Sequence, residues 1–364
     1  MKEKAIELLT KINNAGYTSY IVGGYPRDLY LKRITNDIDI CTNATPKDLK
    51  EIFGDAMLPK VNYGSVTVIY KKVRFEITTF RKEYKYVQNR VPGKIKYIDN
   101  LLDDLKRRDF TINTICINQE GNVIDLLDGI KDINDRKIKM VGNPKDKLRE
   151  DALRILRAIR FATQLNFELD ENLYKNIKKY GYLVKNLSYY RKKEELNKIF
   201  LSDNREYGIR LIKELGLDTY LELDMSNLVI TEYPIGIWAQ MNVLDKYDFN
   251  SNDYDTIKKI NEIIDKPITN RILYEYGLYI VSIVANIKGI SKRNITMQYN
   301  KLPIKSKHDI ITTPSNIMNI LSKGAGSYIK DILNDLESKI LDGILENDYF
   351  ILKDYILANY SNIW

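Results

Sequence analysis

Short apolar runs separated by polar breaks characterise the first 150 residues of the chain. Tyr20-Ile21-Val22 is predicted to form a buried strand that ends at Gly23-Gly24, because paired glycines allow the backbone to turn sharply. Residues 64–70 and 73–80 alternate polar and apolar side chains on either side of Lys71-Lys72, which predicts an antiparallel strand pair. This pattern predicts an α+β domain with a mixed or antiparallel sheet and flanking helices.

The pattern becomes helical after Asn143-Pro144, which closes the sheet segment. Residues 150–161 are predicted to form one helix that buries Leu153, Leu156 and Ile159 on a single side.

Amphipathic helices continue along the rest of the chain, with breaks predicted at Ser251–Asp253, Pro267 and Pro303–Thr313. The predicted organisation has three parts. They are an α+β head at 1–145, a helical neck at 146–220, and an all-α body and tail at 221–364.

Composition limits which compartment the protein is expected to occupy and which kinds of metal site it can contain. Cys41 and Cys116 both lie in apolar strand-like runs, so they are predicted to be core residues in a reducing compartment rather than a disulfide framework. His308 is the single histidine of the chain, which excludes metal sites built on several histidines. No apolar run is long enough to span a bilayer, and the charged, amphipathic N-terminus differs from a signal peptide. We expect a cytoplasmic protein that is not inserted in a membrane.

Charge is unevenly distributed along the chain. Residues 1–150 contain 28 Lys and Arg against 21 Asp and Glu, and residues 151–200 contain 11 against 6. The remaining 164 residues contain 18 against 22, a net charge of −4. A polyanion would therefore be attracted to the first 200 residues.

A phosphate-binding corner is predicted where the first strand ends. Gly23 and Gly24 let the backbone approach an anion, Pro26 suits the first turn of a following helix, and Arg27 and Asp28 lie on that helix. The N–H groups that open the helix and the Arg27 guanidinium would both bind phosphate. A plain turn is the alternative interpretation of the glycine pair taken alone.

A pair of carboxylates follows in the alternating segment Asp37-Ile38-Asp39-Ile40. On a strand, Asp37 and Asp39 share one face while the isoleucines face the core. Such a pair suits Mg²⁺, which is usually held by one or two carboxylates plus substrate phosphates. The pair and the corner together indicate a site for a nucleoside triphosphate, whereas a solvated strand face is the alternative for the pair alone.

Glu76 lies on the polar face of its own predicted strand. If that strand neighbours the carboxylate strand, Glu76 would be a third acid at the metal site, where it would orient a primer hydroxyl. An ordinary exposed glutamate is the alternative.

Further candidate residues lie in the segment RRDFTIN at 107–113, which is predicted to be a tight corner before a strand. The guanidinium of Arg108 would bind triphosphate. Asp109 and Asn113 can hydrogen-bond a ribose 2′-hydroxyl, and this would select ribonucleotides.

The predicted helix at 150–161 carries Asp151, Arg154, Arg157 and Arg160 at intervals of three residues, which places them in an oblique stripe. A salt-bridged surface is the default interpretation. A carboxylate beside a guanidinium also offers an acceptor next to a donor, which matches the Watson–Crick edges of cytosine and adenine. Uracil and guanine present the opposite order and would leave buried polar groups unpaired.

These segments resemble the signatures of the nucleotidyltransferase superfamily, in the form found in class II tRNA nucleotidyltransferases, which add CCA, and in bacterial poly(A) polymerases. Residues 23–42 resemble the first signature, 107–113 the second and 150–157 the fourth. The resemblance implies that Asp151 and Arg154 act as a protein template for the incoming base, with Arg157 and Arg160 as supporting contacts.

Residues 81–98 form a basic and aromatic segment that we expect to be a long loop. It resembles a flexible loop of the family that acts as a lever when the enzyme switches from cytosine to adenine. The segment therefore favours terminal adenosine addition.

The resemblance implies template-independent addition of C, C and A to the 3′ end of tRNA from CTP and ATP, with pyrophosphate released. Asp37 and Asp39 would hold Mg²⁺. The first alternative is an enzyme that adds only A or only CC, and the second is a bacterial poly(A) polymerase. An RNA-binding module on an inactive transferase fold is an alternative of another class. The resemblance also implies that the helices of residues 221–364 bind tRNA, although this region is net acidic. We expect a monomer or a homodimer.

Overall fold

A computed structural model describes residues 1–35, 37–59, 61, 63–87 and 91–361. The chain forms two compact units, Met1–Leu223 and Asp224–Trp364. The division into head, neck, and body and tail stays a prediction.

Strands and helices alternate through the first half of the first unit. The strands, in chain order, are β1 (Ser19–Val22), β2 (Asp39–Thr42), β3 (Ser65–Tyr70), β4 (Val73–Thr79), β5 (Arg81–Val87), β6 (Val91–Tyr97), β7 (Cys116–Ile117), β8 (Val123–Ile124), β9 (Lys137–Ile138) and β10 (Glu168–Leu169). The helices are α1 (Lys2–Asn14), α2 (Gly24–Tyr30), α3 (Pro46–Phe53), α4 (Leu101–Leu105), α5 (Gly129–Asn134), α6 (Pro144–Glu150), α7 (Leu153–Leu165), α8 (Glu171–Tyr180), α9 (Tyr189–Phe200), α10 (Arg205–Glu214) and α11 (Leu217–Leu221).

The main sheet has the strand order β3-β4-β2-β1-β7-β8. Its pairs are antiparallel except for β2 and β4, which run parallel. Lys71 and Lys72 both have positive φ values, 47° and 64°, as a tight two-residue hairpin turn requires. The predicted mixed sheet and its antiparallel hairpin are therefore confirmed.

The two faces of the sheet bury different residues because side chains alternate along each strand. Ile38 and Ile40 pack with α1 and α3 in one apolar cluster, which confirms their predicted direction. Cys41 and Cys116 are buried in a second cluster, and both are free thiols, as predicted. Asp39 alternates with the two isoleucines, so it shares its face with Cys41.

Three local predictions for the first unit were wrong. Residues 81–98 were expected to be a loop, but β5 and β6 pair as an antiparallel hairpin from Arg81–Tyr97 to Val87–Val91. The segment 107–113 was predicted to be a tight corner before a strand, but Thr111–Asn113 forms a 3₁₀ turn, and the strand that follows, β7, begins only at Cys116.

The third error concerns the helix expected at 150–161. It is interrupted because α6 ends at Glu150, Asp151 has extended backbone angles (φ −139°, ψ 102°), and α7 begins at Leu153. Asp151 therefore precedes the helix that carries Arg154, Arg157 and Arg160. The apolar side of the prediction is confirmed, since Leu153, Leu156 and Ile159 are buried.

Helices connected by turns and loops make up the second unit, and no strand occurs among its described residues. Its helices are α12 (Pro234–Ala239), α13 (Ser251–Ile263), α14 (Asn270–Ile287, kinked at Gly277), α15 (Lys292–Asn300), α16 (Pro314–Leu321), α17 (Tyr328–Leu341) and α18 (Tyr349–Tyr360). The predicted breaks at Pro267 and Pro303–Thr313 fall between helices, but Ser251–Asp253 is the first turn of α13, capped by Asn250. Across the described part of the chain, no helix is both long enough and apolar enough to cross a membrane.

Candidate active site

A cavity of about 470 Å³ lies in the first unit, where β1 and β2 meet the 107–113 corner and α7. Twelve predicted site residues line it. They are Gly23, Gly24, Arg27, Asp37, Asp39, Arg108, Asp109, Asn113, Asp151, Arg154, Arg157 and Arg160. Two predicted residues, Asp28 and Glu76, do not line it. Three lining residues were missed: Glu83, Arg107 and Phe161.

The carboxylate pair occupies the edge of the cavity at the start of β2. Asp39 is the first residue of β2, and Asp37 lies two residues before it, outside the strand. Burial raises the pKa of Asp39 to about 6, and the neighbouring charges of Asp37 and Glu76 add to this effect. Two carboxylates held in this way favour binding of a cation between them.

Glu76 lies directly opposite Asp39 in the parallel pairing of β2 and β4. Its strand thus neighbours the carboxylate strand, as its predicted role requires. The Glu76 side chain is exposed, and its part in catalysis stays a prediction.

The donor set fits a hard divalent cation. Within the ranges that the structure describes, no group of three or more His, Cys, Asp or Glu side chains could hold a metal ion. The candidate ligands are Asp37 and Asp39, and two carboxylates suffice for Mg²⁺ when substrate phosphates complete its shell.

The backbone at Gly23 lies close to the carboxylate of Asp39. Its φ of +86° lies in the region that favours glycine, and a Cβ there would lie 3.3 Å from Asp39 Oδ2. The glycine is thus required both by the turn after β1 and by the space next to Asp39.

A chain of hydrogen bonds connects the glycine corner to α7. The Arg27 guanidinium donates to both carboxylate oxygens of Asp28 at 2.9 Å and to Asn113 Oδ1 at 2.7 Å. Asn113 in turn donates to Asp109 Oδ1 at 3.1 Å, and Arg157 Nε donates to Asp109 Oδ2 at 2.7 Å. Asp28 does not line the cavity, but it holds the guanidinium of Arg27, which does.

Asp109 is ionised despite being buried. Burial alone would raise its pKa, but Arg157 and the hydrogen bond from Asn113 outweigh it and bring the pKa of Asp109 to about 2. A ribose hydroxyl that reaches Asp109 would therefore find a charged acceptor.

Arg154 also lines the cavity, and its guanidinium is fixed by several hydrogen bonds. Its guanidinium donates to the carbonyl oxygens of Lys147 at 2.9 Å and Arg107 at 3.0 Å, and to Glu150 Oε2 at 3.1 Å. The last contact is an ion pair between residues four apart in the chain, across the junction of α6 and α7. Asp151 accepts from the Leu153 N–H at 3.0 Å, so its carboxylate is held close to the start of α7.

Phe161 is surrounded by three cations. The guanidinium carbons of Arg160, Arg27 and Arg157 lie 4.3, 5.1 and 5.4 Å from the centre of its ring. Arg160 also forms an ion pair of 2.9 Å with Glu195 on α9. The ring thus supports arginines from both α2 and α7.

Three family models match consecutive parts of the chain. The Poly A polymerase head domain matches residues 19–139, the probable RNA- and SrmB-binding site of polymerase A matches 166–225, and the putative tRNA nucleotidyltransferase domain 2 matches 241–356.

Curated relatives match over almost the full length. The CCA-adding enzyme of Ligilactobacillus salivarius is 32% identical over 96% of this chain and 95% of its own. That of Streptococcus suis is 31% identical over 99% of this chain and 97% of its own.

A solved structure of the Bacillus stearothermophilus CCA-adding enzyme in complex with CTP is similar, with a TM-score of 0.79 and 26% identity over 98% of this chain and 96% of that one. A Thermotoga maritima CCA-adding enzyme complexed with tRNA has the same fold, with a TM-score of 0.73 and 21% identity over 97% and 94%. Taken with the near full-length match to curated relatives, these findings show that the chain belongs to the family of CCA-adding enzymes.

Proposed function

We propose that this chain adds C, C and A in turn to the 3′ end of tRNA, using CTP and ATP and releasing pyrophosphate. The observation that carries the proposal is that one cavity combines the carboxylate pair, a set of arginines and the Asp151–Arg154 pair. This is the chemistry that metal-dependent transfer of a selected nucleotide needs. Family membership supports the same reaction.

In the proposed reaction the 3′-oxygen of the RNA attacks the α-phosphorus of the nucleotide. A new phosphodiester bond forms, the bond between the α-phosphorus and its bridging oxygen to the β-phosphate breaks, and pyrophosphate leaves. Asp37 and Asp39 would hold the divalent cation, which we propose to be Mg²⁺. Such an ion supplies charge neutralisation at the phosphates and favours ionisation of the attacking hydroxyl.

The arginines and the corner residues would bind the nucleotide itself. Gly24, Arg27 and Arg108 are proposed to contact the triphosphate, and Asp109 and Asn113 the ribose. Because Asp109 is already ionised, it can accept a further hydrogen bond from the 2′-hydroxyl, and a deoxyribonucleotide would lack that charge-assisted hydrogen bond.

The Asp151–Arg154 pair is proposed to read the base. Arg154 donates to the ring nitrogen of cytosine or adenine, and Asp151 accepts from the exocyclic amino group. With uracil or guanine, donors would face donors and acceptors would face acceptors, which disfavours both bases.

The cellular setting is part of the proposal. A tRNA-processing enzyme with no membrane-crossing helix among its described residues is expected to act in the cytoplasm. We propose that it acts as a monomer or a homodimer.

Purified protein incubated with Mg²⁺, tRNA that ends before CCA, and labelled CTP or ATP tests the proposal. We expect two C residues followed by one A, with no incorporation from UTP or GTP. The Asp39→Asn variant is the matched inactive control, since it removes a proposed metal ligand and changes little else. Addition of A alone to a CC end would indicate an A-adding enzyme, and long A tails a poly(A) polymerase. RNA binding without any incorporation would overturn the enzymatic proposal.

A further inference from the structure

Asp104 is a buried carboxylate that lies behind the active-site cavity and does not line it. It is the fourth residue of α4, and its exposed fraction is 0%. Burial alone would raise the pKa of Asp104, but Arg107 and Arg108 outweigh it and hold the pKa below its ordinary value. The carboxylate is therefore a fixed negative charge beneath the nucleotide site.

Asp104 receives hydrogen bonds from three directions. Its Oδ1 accepts from Arg107 Nε at 2.8 Å and from the backbone N–H of Arg81 at 3.1 Å. Its Oδ2 accepts from Arg108 Nη2 at 3.3 Å. One side chain thus connects the first residue of the β5–β6 hairpin to two arginines that line the cavity.

The Arg108 guanidinium depends on this carboxylate. Its Nε is buried and has no hydrogen-bond partner among the described residues, and its remaining side-chain hydrogen bond is the one to Asp104. Among the described residues, Asp104 is the hydrogen-bond acceptor that orients the Arg108 guanidinium, and Asp39 adds an electrostatic attraction.

Arg107 extends the effect of Asp104 to the base-reading end of the cavity. Arg107 Nη1 contacts Glu83 of the hairpin at 3.3 Å, and the Arg107 carbonyl accepts from Arg154 at 3.0 Å. A shift of Arg107 would therefore displace an acceptor that holds Arg154.

We propose that Asp104 is a positioning residue for nucleotide binding, which sets Arg108 and Arg107 against the triphosphate and fixes the hairpin to them. The inference rests on the proposed function, in which Arg108 contacts the triphosphate. Asp104 acts through its arginines and does not touch substrate itself.

The matched pair of variants is Asp104→Asn and Asp103→Asn. Asp103 is the preceding residue of α4, and at the surface it pairs with Lys82 at 2.7 Å and Lys106 at 3.9 Å. We expect Asp104→Asn to raise the KM for both CTP and ATP by about 10- to 100-fold, with the KM for tRNA within about twofold of wild type. Asp103→Asn should leave all three values within about twofold.

Comparing the KM for nucleotides with the KM for tRNA distinguishes a loss of positioning from a general destabilisation of the protein. An unchanged nucleotide KM in Asp104→Asn would overturn the proposal, and so would an equal rise in the KM for tRNA. If Asp104→Asn does not fold, Asp104→Glu keeps the charge but moves it, and it should raise the nucleotide KM while leaving the KM for tRNA within about twofold of wild type.

A double-mutant cycle with Arg108→Gln then tests whether Asp104 acts through that arginine. We expect Asp104→Glu to have less effect in the Arg108→Gln background than in wild type, and additive effects would overturn the proposal. Wild-type incorporation is measured first, since its absence would contradict the proposed function. Direct calorimetric binding of CTP to wild type and variant would still test Asp104 in that case.

Discussion

At the scale of single residues, Gly23 and Asp39 constrain each other across the end of β1. A methyl group at Gly23 would both strain the backbone at φ +86° and press on Asp39 Oδ2 from 3.3 Å. Gly121 has a similar φ of +82°, but a Cβ there would meet nothing within 4 Å. Comparing substitutions at the two glycines therefore distinguishes the effect of backbone strain from the effect of crowding the Asp39 carboxylate.

We expect Gly23→Ala to lower kcat/KM for CTP by at least about tenfold, because it displaces a proposed metal ligand. Gly121→Ala should cost about 1 to 3 kcal/mol of stability and leave kcat/KM unchanged. Steady-state incorporation and thermal unfolding of both variants check this. Equal losses of activity in the two would mean that strain alone, and not contact with Asp39, explains the effect.

The lowered pKa of Asp109 predicts how the stability of the protein changes with pH. Its pKa of about 2 lies below the ordinary aspartate value of 3.8. Its contribution to the free energy of unfolding is therefore fully present above about pH 4 and is lost as the pH falls towards 2. From the size of the shift, this contribution is about 2 kcal/mol.

The Asp109→Asn variant should thus be about 2 kcal/mol less stable than wild type at pH 7, and the difference should shrink as the pH falls below 4. Asp135→Asn, a surface change in the same unit, is the control. Both tryptophans lie beyond residue 223, so urea unfolding of the first unit is better followed by circular dichroism than by fluorescence. A difference that stays constant down to pH 2.5 would contradict the assignment.

At the scale of elements, the interruption between α6 and α7 places Asp151 and Arg154 differently from a continuous helix. Arg154 belongs to α7 and is held by carbonyl oxygens of Lys147 and Arg107, whereas Asp151 lies in the extended link before the helix. The acceptor and the donor of the proposed base reader are therefore held by separate backbone segments.

We expect Arg154→Lys to lower the preference for CTP over UTP by about 10- to 100-fold. Lysine keeps the charge but cannot span the two carbonyl oxygens and a base at once. The measurement is kcat/KM for each nucleotide on the same tRNA. Arg149→Lys, on the exposed side of α6, is the control. A lower rate with an unchanged CTP to UTP ratio would show that Arg154 does not read the base.

The same elements show what the sequence could and could not predict. The strand that contains Asp39 and the buried face of Leu153, Leu156 and Ile159 follow from local periodicity and turn residues. They were predicted correctly, except that Asp37 lies before the strand and not on it. Arg81–Val87 carries polar residues on both faces, and such a strand lacks the alternation that identifies one. The interruption of the helix at Asp151 could have been predicted, because aspartate commonly precedes a helix. The spacing of the arginines favoured a continuous helix instead.

The missed residues at the site depend on contacts between distant segments. Phe161 acts through arginines that come from both α2 and α7, and Asp104 binds groups from β5 and the 107–113 corner. No spacing along the chain encodes such contacts, because they depend on how the elements pack. By contrast, twelve of the fourteen predicted site residues line one cavity, since their motifs lie at the ends of predictable elements.

At the scale of the whole molecule, the uneven charge makes the first 200 residues the part of the chain that we expect to attract RNA. The first 200 residues carry the positive excess, and residues 201–364 are net negative. Each unit offers a matched pair of adjacent exposed lysines, Lys178 and Lys179 on α8, and Lys258 and Lys259 on α13. The second pair shares a surface cavity with Asp255, Glu262 and Glu275, so its charge is offset locally.

We expect tRNA affinity to fall steeply with salt, because each lysine that neutralises a phosphate releases counterions. Lys178→Gln/Lys179→Gln should weaken binding and reduce the slope of log Kd against log salt by about 0.7 to 0.9 for each phosphate that is no longer neutralised. Lys258→Gln/Lys259→Gln should leave the slope unchanged, because neighbouring carboxylates already repel the RNA backbone there. Filter binding of tRNA between about 50 and about 300 mM salt measures both slopes. A weaker affinity confined to the α13 variant would place the electrostatic binding of RNA on the second unit, despite its net negative charge.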